Sequence, residues 1–241
     1  MKQILKGLLL VWTAVAIVFA YKVPNAKAFE NHELARLIFF HLPCAWGSSL
    51  FLIIAPIAAA YYLKTKNRVW DLRAAAAMEI ALILGILTLM TGMIFSDVQW
   101  GAPWNWDPRQ TSFLLVMLIA GAYFALRAAF GDPEKQASHS AAYALAAVLP
   151  ELFLIGAFPR LLDKGLHPDL LKKGGGFDST YWSVIGMMSV AVLGVCFWIF
   201  SLRVRTGLLT EALEDSHAEL ASGDANAPSG VVRPVSLSNN R

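Results

Sequence analysis

The sequence predicts an all-α integral membrane protein, with six transmembrane helices and a tryptophan-rich loop on the outer face. Three observations carry that prediction. Hydrophobic residues fill 57% of the 241 positions and charged residues only 15%, with a mean hydropathy of +0.53; a soluble globule carries about a quarter charged residues. Six runs are long and apolar enough to cross a bilayer, whose ~30 Å hydrocarbon core takes ~20 residues of helix at 1.5 Å each. The short alternating segments of a membrane β-barrel are absent from the pattern.

The first run covers about Gly7 to Tyr21, the second Leu37 to Leu63 and the third Ala74 to Phe95. The fourth covers about Ser112 to Phe130, the fifth Ala141 to Phe158 and the sixth Tyr181 to Leu202. Orientation follows the placement of Lys and Arg at span ends. Lys64, Lys66, Arg68 and Arg73 crowd the second connection, Lys2 and Lys6 precede the first span, and Arg203 and Arg205 follow the last. All of these fall on one side, read as cytoplasmic, with both termini there. Positive charge is not missing from the opposite loops, and the Lys64–Arg73 cluster decides the assignment. The outer side then receives the loops at about Lys22 to Arg36, Ser96 to Thr111 and Pro159 to Thr180. A second reading of the start remains open. Lys2, Lys6, an apolar stretch and the small residues Ala26 and Ala28 also fit a cleavable signal, which would leave every outer loop outside.

The expected organisation is a membrane domain over residues 1–207 and a polar cytoplasmic tail over 208–241, largely disordered apart from one short helix near its start. The net charge of +3, with no basic patch interleaved with aromatics, gives no sign of a nucleic-acid partner; lipid is the surrounding one. Cys44 and Cys196 sit inside spans at different estimated depths, so a disulfide is not expected. No Cys-x-x-Cys-His is present, so the chain is not itself a covalent haem carrier.

The segment "WGAPWNWDPRQT", Trp100 to Thr111, lies in the second outer loop. Isolated tryptophans at a span end, such as Trp12, Trp70, Trp182 and Trp198, need only the membrane interface or bundle packing. Trp100, Trp104 and Trp106 are a different case. Gly101 and Pro103 disfavour a long helix beneath them, and three large rings on irregular backbone mark a binding surface. Asp107 and Arg109 flank the rings. Arg109 has the fork of donors that grips a carboxylate, and Asp107 is placed to orient Arg109 or a loop N–H. A large, flat, apolar ligand with acidic groups on its edge meets this description. A porphyrin carrying propionates fits; a quinone fits only the flat part.

Haem iron takes His nitrogens on its axial faces. His139 and His217 fall on the cytoplasmic side, whereas His32, His41 and His167 fall on the outer side. His41 sits a turn or so inside the second span, where an ionisable residue is a functional candidate unless it serves a neighbouring helix; Pro43 beside it favours a local kink. If one helix covers both His32 and His41, they face opposite ways and at most one serves a site. His167 lies in the third outer loop among Leu161, Leu162, Leu166, Leu170 and Leu171, a pattern for a short membrane-surface helix. Two acids, Glu79 and Glu151, lie within spans, where pairing inside the bundle is expected.

The string "WGAPWNWDPRQTS" resembles the WWD signature of the haem-handling membrane proteins of cytochrome c biogenesis. With "IFFHLPCAWGS", His41 to Trp46 inside it, a six-span chain of this size looks like the CcmC family. Pro108 after Asp107 is closer to larger WWD relatives, which join haem to apocytochrome. The resemblance implies one axial His near the outer end of the second span and another in the last outer loop, positions that His41 and His167 match. It further implies haem b as the cofactor, held with help from Trp100, Trp104, Trp106, Asp107 and Arg109. Its implied role is transfer to a periplasmic haem chaperone of the CcmE kind at the bacterial inner membrane. ATP-binding transporter subunits and a small single-span subunit, of the CcmA, CcmB and CcmD kinds, are the implied partners. Two alternatives stay open: a thioether-forming cytochrome c synthase, and a transporter whose tryptophans are only interfacial anchors.

Overall fold

The computed structural model describes residues 3–24, 31–162, 165–167 and 178–224; its described residues form helices and connections, with no strand among them. Helix α1 is Gln3–Lys22. A 3-10 turn, Leu34–Leu37, leads into α2, Ile38–Thr65, and α3 is Arg68–Trp100. Helix α4 is Pro108–Ala128 and α5 is Pro133–Leu152. The latter runs through a π-turn, Phe153–Ala157, into the single turn α6, Phe158–Leu161; α7 is Ser179–Asp224. Six of these segments are long and apolar enough to cross a membrane, so the protein is a multi-pass membrane protein.

The helices run further than the apolar runs do, and caps explain where they start. The Asn67 side chain accepts a hydrogen bond from the Val69 N–H and opens α3. Asp132 does the same for α5 through the Glu134 and Lys135 N–H groups, with Pro133 in the first turn. The charged residues that start α3 are accommodated by pairing. Asp71 is buried and receives Arg127 of α4 at 2.6 and 3.0 Å and Arg68 at 2.7 Å. Removing either end of such a pair leaves a buried charge, a cost of about 3–5 kcal/mol.

Helix α2 is the hub. On one side it packs with α3, α4 and α5 around Phe51, Leu52, Met78, Leu84, Val116 and Tyr123. On the other it meets α1 and α7 around Ala16, Ala20, Phe39, Tyr181 and Ile185. Small residues bring α2 and α3 close, as membrane helices require when no hydrophobic drive separates helix from lipid. Ser48 Oγ donates to the Ala81 carbonyl at 2.8 Å. At Gly85 a Cβ would fall 2.0 Å from Met117 Sδ and 3.2 Å from Ser48 Oγ. Gly47 of α2 faces Leu193 of α7, and Cys44 and Cys196, both buried in the same core, are free thiols.

Several expectations change. No single helix covers His32 and His41: His32 sits in an exposed turn before the 3-10 segment, so the opposite-faces argument does not apply. Glu79 pairs with Arg203 of α7 at 2.8 Å, but Glu151 is buried with its Oε1 atom unpartnered. The polar helix expected near Thr210 is the continuation of α7, whose Leu, Glu and Ala residues keep helical propensity high. Two compact units, residues 1–204 and 205–241, divide the chain, and the described part of the second is the polar end of α7. The tail from residue 225, Ala26 and Ala28, and Leu170 and Leu171 lie outside the described residues.

Candidate functional site

The three connections read as outer loops converge at one end of the bundle. Asn31 and Gln99 exchange two hydrogen bonds, from Asn31 N–H to Gln99 Oε1 at 3.1 Å and from Gln99 Nε2 to the Asn31 carbonyl at 3.0 Å. Tyr181 donates its hydroxyl proton to the Pro24 carbonyl at 2.9 Å. The Leu166 N–H donates to Asp107 Oδ2 at 2.7 Å and so joins the third connection to the second.

The tryptophan segment is braced from beneath. Gly101 closes α3 with a positive φ of 77°, a conformation glycine adopts without strain. Asn105 Nδ2 donates to Ser96 Oγ at 2.7 Å and to the Ala102 carbonyl at 2.9 Å; Gln110 Nε2 donates to the Pro103 carbonyl at 3.1 Å. This polar network fixes a short irregular stretch. Trp106 takes a left-handed backbone, φ 54°, and its side chain is 77% exposed. Its ring meets Trp104 edge-on at 5.8 Å. Trp100 stands instead against the His167 ring, with centroids 5.4 Å apart, and against Phe95 at 5.8 Å.

Asp107 holds the site together. Its side chain caps α4 by accepting from the Arg109 N–H at 2.8 Å. It also accepts from the Leu166 N–H, and His167 Nδ1 approaches its Oδ1 at 3.0 Å. Burial pushes the Asp107 carboxyl up. The hydrogen bond and electrostatic pull of His167 and the two backbone N–H donors outweigh it, and they hold the group well below the usual carboxylate range. A carboxylate on Nδ1 fixes His167 with its proton on that atom and its Nε2 lone pair free.

His41 is prepared in a similar way from α3. Its Nδ1 lies 3.0 Å from Thr91 Oγ1. The single Thr91 hydroxyl proton is already committed to the Leu87 carbonyl at 2.7 Å. Thr91 Oγ1 therefore accepts from His41 Nδ1–H, and the Nε2 lone pair of His41 is free as well. Gly92 makes room for the ring: a Cβ there would lie 3.1 Å from His41 Cε1.

Both imidazoles line one cavity of about 370 Å³, within the usual size of a small-molecule site. Its apolar wall includes Trp46, Met93, Phe95 and Phe113, and two guanidinium groups, Arg109 and Arg160, reach it. Of the residues singled out in the sequence, His41, His167 and Arg109 meet here. Asp107 supports the cavity from behind, and Trp100 reaches it through His167. Trp104 and Trp106 lie away from this lining. Sequence reasoning missed Arg160, Thr91 and Gly92. Arg160 carried a visible signal, a lone cation just past an apolar run, but the other two acquire meaning only when α3 is laid against His41.

The family model for CcmC, "Heme exporter protein C", matches residues 1–218. The chain belongs to this family. It is 28% identical over 222 residues to heme exporter protein C of Rhodobacter capsulatus, an alignment covering 86% of this chain and 90% of that one. Over 117 residues it is 35% identical to a putative cytochrome c biosynthesis ccmC-like mitochondrial protein of Marchantia polymorpha, covering 48% of this chain and 51% of the other. With heme exporter protein C of Escherichia coli K12 it shares 28% identity over 134 residues, 52% of this chain and 54% of that one. The CcmC family is one of haem handling in cytochrome c biogenesis, and a multi-pass helical membrane protein is the architecture found here.

Proposed function

We propose that this protein binds haem b at the outer face of the bacterial inner membrane and hands it to a periplasmic haem chaperone during cytochrome c maturation. One observation carries the reading: His41 from a span and His167 from a loop line the same cavity, each with Nδ1 engaged and Nε2 free. Haem iron takes two such nitrogens on its axial faces. Arg109 and Arg160 supply bidentate donors for two propionates. The apolar wall suits the porphyrin, and Trp100 stands against the His167 ring that lines it.

Haem is cargo in this scheme. A ligand held at the end of the bundle by loop residues is open to a soluble acceptor, whereas one clamped between spans by paired histidines is not. Both termini lie in the cytoplasm on this reading, and ATP-binding transporter subunits with a small single-span subunit are the partners that release the loaded chaperone. The test is the absorption spectrum of detergent-purified protein from a haem-replete host. Six-coordinate haem is expected in the wild type, and its loss is expected in His41→Ala and His167→Ala at unchanged protein level. Haem-free wild type, or full six-coordinate haem in both variants, overturns the proposal.

A further inference from the structure

The end of the bundle opposite the cavity gathers cations, and most of them are engaged. Arg68 and Arg127 share Asp71, Arg203 pairs with Glu79 at 2.8 Å, and Lys66 Nζ donates to Ser138 Oγ at 3.3 Å. Arg73 of α3 is different. Among the described residues, no carboxylate pairs with it and no acceptor takes its N–H groups. Its guanidinium carbon instead lies 4.4 Å from the centre of the Trp70 ring. Trp70 in turn stacks with Tyr61 of α2, ring centres 4.6 Å apart and planes at 18°, and Tyr61 is 48% exposed. Lys64, one turn beyond Tyr61 on α2, is exposed and likewise lacks a polar partner among the described residues.

The position of Arg73 explains what it can reach. It immediately precedes the apolar run of α3, Ala74 to Phe95. Side chains on a helix lean toward its N-terminus, and α3 starts at this end. The guanidinium is therefore carried back from the edge of the hydrocarbon over Trp70, to the level where interfacial aromatics and lipid headgroups lie. A guanidinium resting by its face on an indole keeps its donors directed outward in its own plane. That fork matches two oxygens of a phosphate. The stack with Trp70 also restrains the long side chain in advance, so less freedom is lost on binding.

We infer that Arg73, seated on Trp70 and assisted by Lys64, binds the phosphate of an anionic phospholipid at the α2–α3 end of the bundle. A free phosphate offers the same oxygens. Lipid is favoured because the fork stands at the edge of an apolar run, beside the half-exposed Tyr61 ring, where an acyl chain has apolar surface to follow. The site is separate from the cavity and stands whether or not that cavity holds haem.

The test is native mass spectrometry of the full-length protein in detergent, titrated with phosphatidylglycerol and, in separate arms, with phosphatidylcholine and inorganic phosphate. The wild type is expected to hold phosphatidylglycerol about tenfold more tightly than phosphatidylcholine. Arg73→Gln is expected to weaken phosphatidylglycerol about tenfold, as the loss of charge-assisted hydrogen bonds does, and Lys64→Gln about fivefold. Arg73→Lys keeps the charge without the fork and should fall between wild type and Arg73→Gln; it carries the test if Arg73→Gln folds poorly. Lys66→Gln removes the same charge from the same connection, where the ammonium is already bonded, and should stay near wild type. Equal losses in Lys66→Gln and Arg73→Gln, as a diffuse basic patch would give, overturn the proposal. So does equal retention of the two lipids, or displacement of phosphatidylglycerol by an equal concentration of inorganic phosphate.

Discussion

His41 and His167 reach one cavity by opposite routes. His41 stands on α2, the hub of the bundle, and is held by a neutral hydroxyl on a neighbouring helix, Thr91 at 3.0 Å. His167 stands on a connection and is held by a charged carboxylate at 3.0 Å, which also fixes the adjacent Leu166 N–H. One imidazole is set by helix packing and needs only a weak partner. The other has no scaffold of its own and depends on an ion. A carboxylate partner also strengthens an imidazole as a metal ligand, so the loop side of the pair is the stronger donor. On the proposed reading, the contrast suits a site that grips its cargo and yet releases it.

The largest effect should come from removing the rings themselves. On the proposed reading, His41→Ala abolishes haem retention, because it removes the ligand that the helix bundle itself holds in place. His167→Ala should leave a weaker, five-coordinate species, and added imidazole should restore its spectrum more readily than in His41→Ala. Equal rescue of the two variants would erase the proposed asymmetry.

Asp107→Asn comes next. Asn caps a helix about as well as Asp, so α4 should persist while the charge on His167 is lost. Haem affinity is expected to fall about 10- to 100-fold, the usual scale for an outer-shell partner of a metal ligand. Thr91→Val should cost less, about 5-fold, the worth of one ordinary hydrogen bond. Titration of purified apoprotein with haem measures both, and a larger loss in Thr91→Val than in Asp107→Asn would reverse the order argued here.

Gly92→Ala probes packing on the His41 side alone. The new methyl would press on Cε1 from 3.1 Å, and overpacking of this kind costs about 1 kcal/mol or more. A shifted haem absorption band with His167 unperturbed is expected. The smallest effect is on acidification. The Asp107 carboxyl is held well below its usual range, so its contribution is complete above the ordinary carboxylate pKa of about 3.9 and is lost only as pH falls through the lower folded value. Protection of the Leu166 amide, taken as its exchange rate relative to the intrinsic rate at each pH, should stay constant from pH 7 to about pH 4 and fall only below that.

The difference between the two histidines also measures what a sequence can reveal. The spans were legible because an apolar run is a local property, though their ends were not: α3 begins at Arg68, in a charged stretch that became tolerable only once Asp71 met Arg127 of another helix. His41 was visible as an ionisable residue in an apolar run. His167 was visible chiefly through family resemblance, since a loop histidine carries no local signal. Asp107 was expected to orient Arg109 or a loop N–H, and it accepts from the Leu166 N–H; its bond to His167 was not legible, because it joins residues 60 positions apart. The tryptophan cluster was obvious in sequence, yet the cavity wall is built from Trp46, Phe95 and Phe113 of three different helices.

One consequence follows from Asp107 serving two masters. The same carboxylate starts α4 and restrains His167, so the two events share a single free energy, and by reciprocity each must report on the other. A docking partner that tugs the first turn of α4 would loosen the imidazole without approaching the metal. Conversely, departure of the cargo would be felt at the base of the exposed Trp106 ring. A relay one residue deep is enough to tell the surface whether the site is full.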